Sequence, residues 1–367
     1  MKKSFRAVTL AALCVVTFAP AAFAVQAKAQ TLHTSIMVGG LNKIIYLVPT
    51  IAKQLGYFDA EGLQVDVLDE PAGADAETAM LTGQVDGTVG FYDHNLDLQG
   101  KGKSTESVVQ FDWVPGEVEL VSKKNVDTIK SPADFKGKSL GVTSIGSSTY
   151  FLTQYLAVKA GLQLSDITPI AVGAGNTFIA ALNTGKIDAG MTTDPTVARM
   201  LQTGDASILL DLRTADSTRA ILGGTYPAAC IYMQTAWVNS HKDIVQKLAN
   251  AFVKALRWMH THTAEDIAAI VPADFYAGNK DLYVAALKAN LGIFTPDGTM
   301  PKDGPPTVLE VLSQFNANVK DKNIDISKTY TTEFVDAANA ALGPMPTMAA
   351  TMSATTSMPM ATMAATP

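Results

Sequence analysis

From residue 34 to about residue 240 the chain alternates short β-rich segments with amphipathic helical ones, and nothing else in it constrains the fold as strongly. Such alternation builds mostly parallel sheets flanked by helices, an α/β architecture. Strands are expected at Thr34–Val38, Val65–Leu68, Thr88–Tyr92, Val108–Phe111, Leu140–Ser144, Pro169–Val172, Ala189–Thr193 and Ile208–Asp211. From about Asp243 the pattern turns helical, with helices expected over Ile244–Met259, Glu265–Val271, Leu282–Leu291, Thr307–Val319 and Thr331–Ala341.

One unit of the alternation occurs twice. Residues 73–86 (GADAETAMLTGQVD) and 175–188 (GNTFIAALNTGKID) share five identities over fourteen positions at an offset of 102. Each reads as a short helix, a glycine stop (Gly83, Gly185) where a left-handed residue ends it, and an apolar strand. Each strand runs into a polar loop, Tyr92-Asp93-His94 in the first copy and Thr193-Asp194-Pro195-Thr196 in the second. The implication is two similar α/β lobes that present strand ends to one gap, which is where open sheets of this kind bind ligands. The extended segments 117–123 and 229–234 are expected to act as hinges between the lobes. The first lobe would comprise 31–118 and 235–342, and the second 119–234.

The termini stand apart. Lys2, Lys3 and Arg6 precede the apolar run Ala7–Phe18, and Pro20-Ala21-Ala22-Phe23-Ala24 follows, the pattern of a secretory signal cleaved after Ala24. Ala27-Lys28-Ala29 is a second candidate cleavage site. Cys14 follows Leu13, so a lipoprotein signal is not expected. Cleavage leaves Cys230 as the single cysteine and precludes an internal disulfide. Losing three cations takes the net charge from −6 to −9, and no basic run remains, which excludes nucleic acid as the partner. Residues 343–367, GPMPTMAATMSATTSMPMATMAATP, lack charge and periodicity and read as a disordered tail.

The richest polar stretch is Gly141–Phe151, GVTSIGSSTYF. A nucleophile elbow needs Gly-x-Ser-x-Gly and a histidine partner; Ser144 has one residue too many before it, and only His94 falls on an expected cleft loop. Gly141 and Gly146 have phosphate-loop spacing, but Ser147-Ser148 stand where Lys-Ser/Thr is required. The remaining readings are a plain capped helix and an anion grip. In the second, N–H groups at the helix start, with Ser147 or Ser148 as cap, receive an oxyanion. No set of residues has metal-ligand spacing, and no carboxylate pair can be assigned catalytic roles.

In order along the chain stand Pro49-Thr-Ile-Ala-Lys-Gln-Leu-Gly56-Tyr57-Phe58-Asp-Ala-Glu61-Gly62-Leu63, Gly83-Gln-Val-Asp86, Gly141-Val-Thr-Ser-Ile-Gly-Ser-Ser148 and Gly185-Lys-Ile-Asp188. This series resembles the periplasmic binding proteins of the nitrate/sulfonate/taurine importer family over residues 34 to 342. The resemblance implies a two-lobed type II periplasmic binding protein. It would be monomeric and without a cofactor or catalytic residues, and would deliver a small organic anion to the permease of an ABC transporter by hinge closure. The cleft contacts it implies are Gly40, Tyr46, Tyr92, Asp93, His94, Ser144, Gly146, Ser147, Ser148, Thr149 and Asp194. Asp194-Pro195 stands where the family often has Glu-Pro, with a shorter side chain. Tyr226 is expected to help wall the solute. The alternatives are a two-lobed enzyme that consumes a pyrimidine or vitamin precursor, and a solute sensor for a membrane receptor.

Overall fold

The computed structural model describes residues 31–345, so the expected signal segment and the tail beyond Met345 lie outside the described residues. Ten strands form two sheets. They are β1 (Leu32–Val38), β2 (Leu63–Asp69), β3 (Gly87–Phe91), β4 (Thr105–Gln110), β5 (Glu117–Ser122), β6 (Ser139–Val142), β7 (Thr168–Ala171), β8 (Ala189–Thr193), β9 (Ala206–Asp211) and β10 (Ala229–Gln234). The sheet orders are β2-β1-β3-β10-β4 and β7-β6-β8-β5-β9. The two orders are topologically equivalent, as the duplicated unit implied.

In each sheet a single strand runs antiparallel to its neighbours: β10 against β3 and β4, and β5 against β8 and β9. These two strands are the segments expected to be hinges. They are paired on both sides inside the sheets, each with one register shift, and the chain passes between the sheets within 111–116 and returns within 212–228. The reversed direction of β5 has a functional consequence. Its first residue, Glu117, pairs with Thr193, the last residue of β8, so the strand opens at the edge where its parallel neighbours end.

The duplicated Gly-x-x-Asp element has a structural task. Asp86 accepts hydrogen bonds from Ser35 N (2.8 Å) and Thr34 Oγ1 (2.9 Å), and Asp188 accepts from Ser139 N (2.9 Å) and Asn125 Nδ2 (2.9 Å). In both sheets the aspartate thus ties the entry of one strand to the one beside it, satisfying backbone donors at the sheet edge.

Val38, Ile51, Phe91, Phe111 and Phe252 belong to the core of the first sheet, and Val118, Phe178, Leu182, Ile187 and Met200 to a core of the second. A third apolar cluster joins the two, bringing Met80 and Leu96 together with Phe151, Leu152, Met191 and Leu312. The helix Gly304–Ser313 ends earlier than its apolar pattern suggested. Just beyond it, Asn316 and Asn318 turn their amides onto Asp97 Oδ1, at 2.8 and 2.9 Å.

Candidate functional site

The ends of β1, β3, β6 and β8 and the start of β5 converge where the sheets face each other. Contacts cross this gap: Ile44 N donates to Asp194 O (3.1 Å), His94 packs edge-on to Phe151 (6.1 Å between centroids), and a Cβ on Gly146 would stand 3.8 Å from Ala74 Cβ. Gly146 has φ +89°, a left-handed conformation that lets the β6 loop turn back onto the first sheet.

Asp93 opens the helix Asp93–Gly100 directly after β3. It is wholly buried; Oδ2 accepts from Tyr226 Oη at 2.9 Å, and Oδ1 has no partner among the described residues. Burial pushes its pKa up to about 7, against the Tyr226 hydrogen bond. His94, 1 % exposed, sets Nδ1 3.0 Å from Tyr232 Oη, while Nε2 has no hydrogen-bond partner among the described residues and lies 3.8 Å from Asp93 Oδ1. Burial lowers its pKa to about 4, so the ring is neutral at pH 7. Tyr46 is buried beside them: a Cβ on Gly73 would touch both His94 Cε1 (2.9 Å) and the Tyr46 hydroxyl (3.6 Å).

From the second sheet, Glu117 is 1 % exposed. Its Oε1 accepts from Ser148 Oγ at 2.6 Å, and Oε2 is unpartnered among the described residues. Burial, and then the negative charge of Asp93, lift its pKa to about 8, with Ser148 opposing. Ser147 caps the helix Ser148–Lys159 by position only, since its buried Oγ makes no hydrogen bond among the described residues. Glu119 lies two residues along β5, hence on the same face as Glu117, and is also buried with both oxygens unpaired. Lys43 is the buried cation nearby. Burial lowers its pKa to about 8, and its Nζ donates to Gly39 O (2.6 Å) and Pro71 O (3.0 Å).

The structure thus brings Tyr46, Asp93, His94, Ser147 and Ser148 together, with Tyr226 on the wall. Gly40 lies beside Lys43 in a groove of about 280 Å³ that opens at the margin of the gap. Ser144 sits in the β6 loop, where its carbonyl accepts from Ser147 N at 3.2 Å. Three expected contacts have other engagements. Tyr92 turns its hydroxyl onto Thr329. Thr149 Oγ1 accepts from Thr143 N at 3.0 Å and bonds the Thr143 hydroxyl, which fastens the loop to itself. Asp194 is saturated: Oδ1 accepts from Ala198 N (2.9 Å), and Oδ2 from Arg213 Nη1 (3.0 Å) and Asn290 Nδ2 (2.7 Å). Glu117, Glu119 and Lys43 are the functional candidates absent from the sequence reading. The alternation of glutamates with Val118 and Leu120 was the available signal for the first two.

Two sheets of matching topology facing each other across a gap define a two-lobed α/β fold. The family model described as NMT1/THI5 like matches residues 46–266, and the chain belongs to that family. A protein of Bordetella bronchiseptica RB50 of known structure is similar at 37 % identity, over 85 % of this chain and 98 % of that one, with a TM-score of 0.82. The alkanesulfonate-binding protein SsuA from Xanthomonas axonopodis pv. citri, bound to MOPS, shares the fold at 20 % identity (83 % and 99 % covered, TM-score 0.64). The periplasmic nitrate-binding protein NrtA from Synechocystis PCC 6803 does so at 14 % identity (85 % and 89 % covered, TM-score 0.68). None of the curated proteins compared with the chain matches it.

Proposed function

We propose that this protein is the exported solute-binding protein of an ABC importer. It would act in the periplasm as a monomer after loss of residues 1–24, capture a small solute between its two sheets and hand it to a membrane permease. The observation that carries this reading is the set of buried polar atoms at the gap without a partner among the described residues, contributed by both sheets: Asp93 Oδ1, His94 Nε2, Glu117 Oε2 and Ser147 Oγ. Buried polar groups are normally satisfied, and such a set in one place is what a bound polar molecule would complete. A solute that touches both sheets stabilises the form in which they are drawn together, which couples binding to shape.

An organic anion is the solute class implied by the resemblance, and the sulfonate and nitrate relatives bear anion-binding names. The start of the Ser148 helix supports it through its positive dipole end. Against it stand the two carboxyl groups beside that helix, one of them already hydrogen bonded to Ser148.

The test is small-angle X-ray scattering of the full mature chain after extensive dialysis, with and without the fraction below about 1 kDa from a cell extract, a size cut that suits the small concave sites of binding proteins. The expected result is a smaller radius of gyration with the fraction present and recovery of the solute chemically intact. An unchanged radius, or conversion of the solute to a product, would remove the transport reading.

A further inference from the structure

The gap is acidic on both sides. Asp93 comes from the end of β3 and Glu117 from the start of β5, so each sheet supplies one carboxyl group with one oxygen anchored and the other free. The anchoring hydroxyls, Tyr226 and Ser148, hold both groups in fixed orientations. Two further polar atoms with no partner among the described residues, His94 Nε2 and Ser147 Oγ, belong to the neighbouring residues of the same loops, with His94 Nε2 3.8 Å from Asp93 Oδ1.

The basic side chains nearest Asp93 and Glu117 already have protein acceptors, and Arg199 at the margin of the gap donates to Asn176 Oδ1. Lys43 Nζ donates to two carbonyl oxygens, and Arg213 spends its guanidinium on Asp211 and Asp194. A carboxylate or sulfonate entering the gap would oppose the ionisation of two carboxyl groups that burial already holds back, with Lys43 as the cation beside them. A nitrogen cation would meet acceptors from both sheets and the aromatic rings of Tyr46, Tyr226 and Phe151.

We infer that the solute presents a cationic or protonatable nitrogen bearing at least two N–H groups, held between Asp93 of the first sheet and Glu117 of the second. This rests on the solute-binding reading and names the class of solute. Donation to one carboxylate from each sheet would make the ligand itself the link that draws the sheets together. It would also discriminate by charge, since an isosteric anion offers the two carboxyl groups no counter-charge for their ionised form.

The experiment is a thermal-shift and calorimetric comparison on the dialysed full mature chain. One set of probes is benzylamine, benzamidine and 4-aminopyrimidine; the other is benzoate, benzenesulfonate and nitrate; magnesium and zinc chloride form a third. Stabilisation by at least one member of the first set is expected, with affinity about tenfold or more weaker in Asp93→Asn and in Glu117→Gln, the loss expected for a charge-assisted hydrogen bond. Both variants keep an acceptor for Tyr226 or Ser148, and an unchanged circular dichroism spectrum would show that they fold. Stabilisation by the anion set alone, or by the metal ions alone, would overturn the inference while leaving a solute-binding protein. Stabilisation by no probe while the small-molecule fraction still contracts the protein would also overturn it. Failure of that fraction as well would remove both readings.

Discussion

Asp93 and Asp194 stand one residue apart in the 102-residue correspondence, each just after the strand that follows the duplicated unit, and both are completely buried. Their surroundings separate them. Asp194 is consumed by Arg213, Asn290 and the Ala198 backbone, so it binds the second sheet to a helix packed on the first. Asp93 has one neutral partner, Tyr226, and an oxygen left over. One aspartate is a clasp and the other a receptor, and the difference lies in which side chains tertiary structure delivers to them.

The largest effect is expected on the clasp side. Asp194→Ala takes one of two carboxylates from the largely buried Arg213 guanidinium, which keeps Asp211, and the acceptor from buried Asn290, and should destabilise the protein by about 3 kcal/mol in urea unfolding. A loss under about 1 kcal/mol would mean that the buried pair contributes little beyond its own desolvation.

Next in size is the pH dependence of the empty protein, which reports the receptor side. Glu77, whose Oε2 lies 3.4 Å from His94 Nδ1, and Asp93 and Glu117 have pKa values raised to about 8, 7 and 8, with burial the first cause for each. The folded protein therefore holds protons that the unfolded chain has released, and stability present at low pH is lost as pH rises through these values. Facing these groups are His94, lowered to about 4, Lys43, lowered to about 8, and Asp97, Glu119 and Lys101. Above its unfolded value near 6.5, His94 adds almost no pH dependence, and Lys43 begins to oppose only near 8. Unfolding free energy should thus fall between about pH 6.5 and 8, by at most about 1.4 kcal/mol per pH unit for each group. Glu117→Gln should flatten the slope; a profile rising over this range would contradict the assignment.

A smaller effect is expected for Asn290→Ala, which breaks the inter-sheet arm of the clasp while Asp194 keeps Arg213. Unfolding free energy should drop by about 1–2 kcal/mol, and solute affinity should fall with it through easier opening, as calorimetry would show. Smallest is the stability effect of Asp93→Asn. It should stay within about 1 kcal/mol of the parent or be stabilising, because an unpaired buried carboxyl is replaced by a neutral amide. If Asp93→Asn instead matched Asp194→Ala in cost, the two aspartates would be equivalent and the receptor role would fail.

The comparison also shows what the sequence makes legible. Local pattern was enough for β8, whose bounds agree residue for residue, for the paired Asp86 and Asp188, and for the helix that Ser147 precedes. The order in which strands lie together was not local. Val118, Leu120 and Val121 do not reveal that β5 inserts antiparallel between β8 and β9, because that placement depends on a crossover from the other sheet. The site divides in the same way. Tyr46, Asp93, His94 and Ser147 followed from strand ends and helix starts. The occupation of Asp194 depends on Arg213, 19 residues away, and Asn290, 96 residues away, and neither leaves a mark near Asp194. Glu117 was hidden because a glutamate in a strand signals solvent until its burial is known.

The most direct test of the account is a crystal structure of the mature protein with the tightest-binding probe of the nitrogen set. A solute nitrogen is expected within about 3.2 Å of both Asp93 Oδ1 and Glu117 Oε2, hydrogen-bonding distance to an acceptor from each sheet. Density for the probe elsewhere, or a solute held by the first turn of the Ser148 helix with both carboxyl groups turned away, would contradict it.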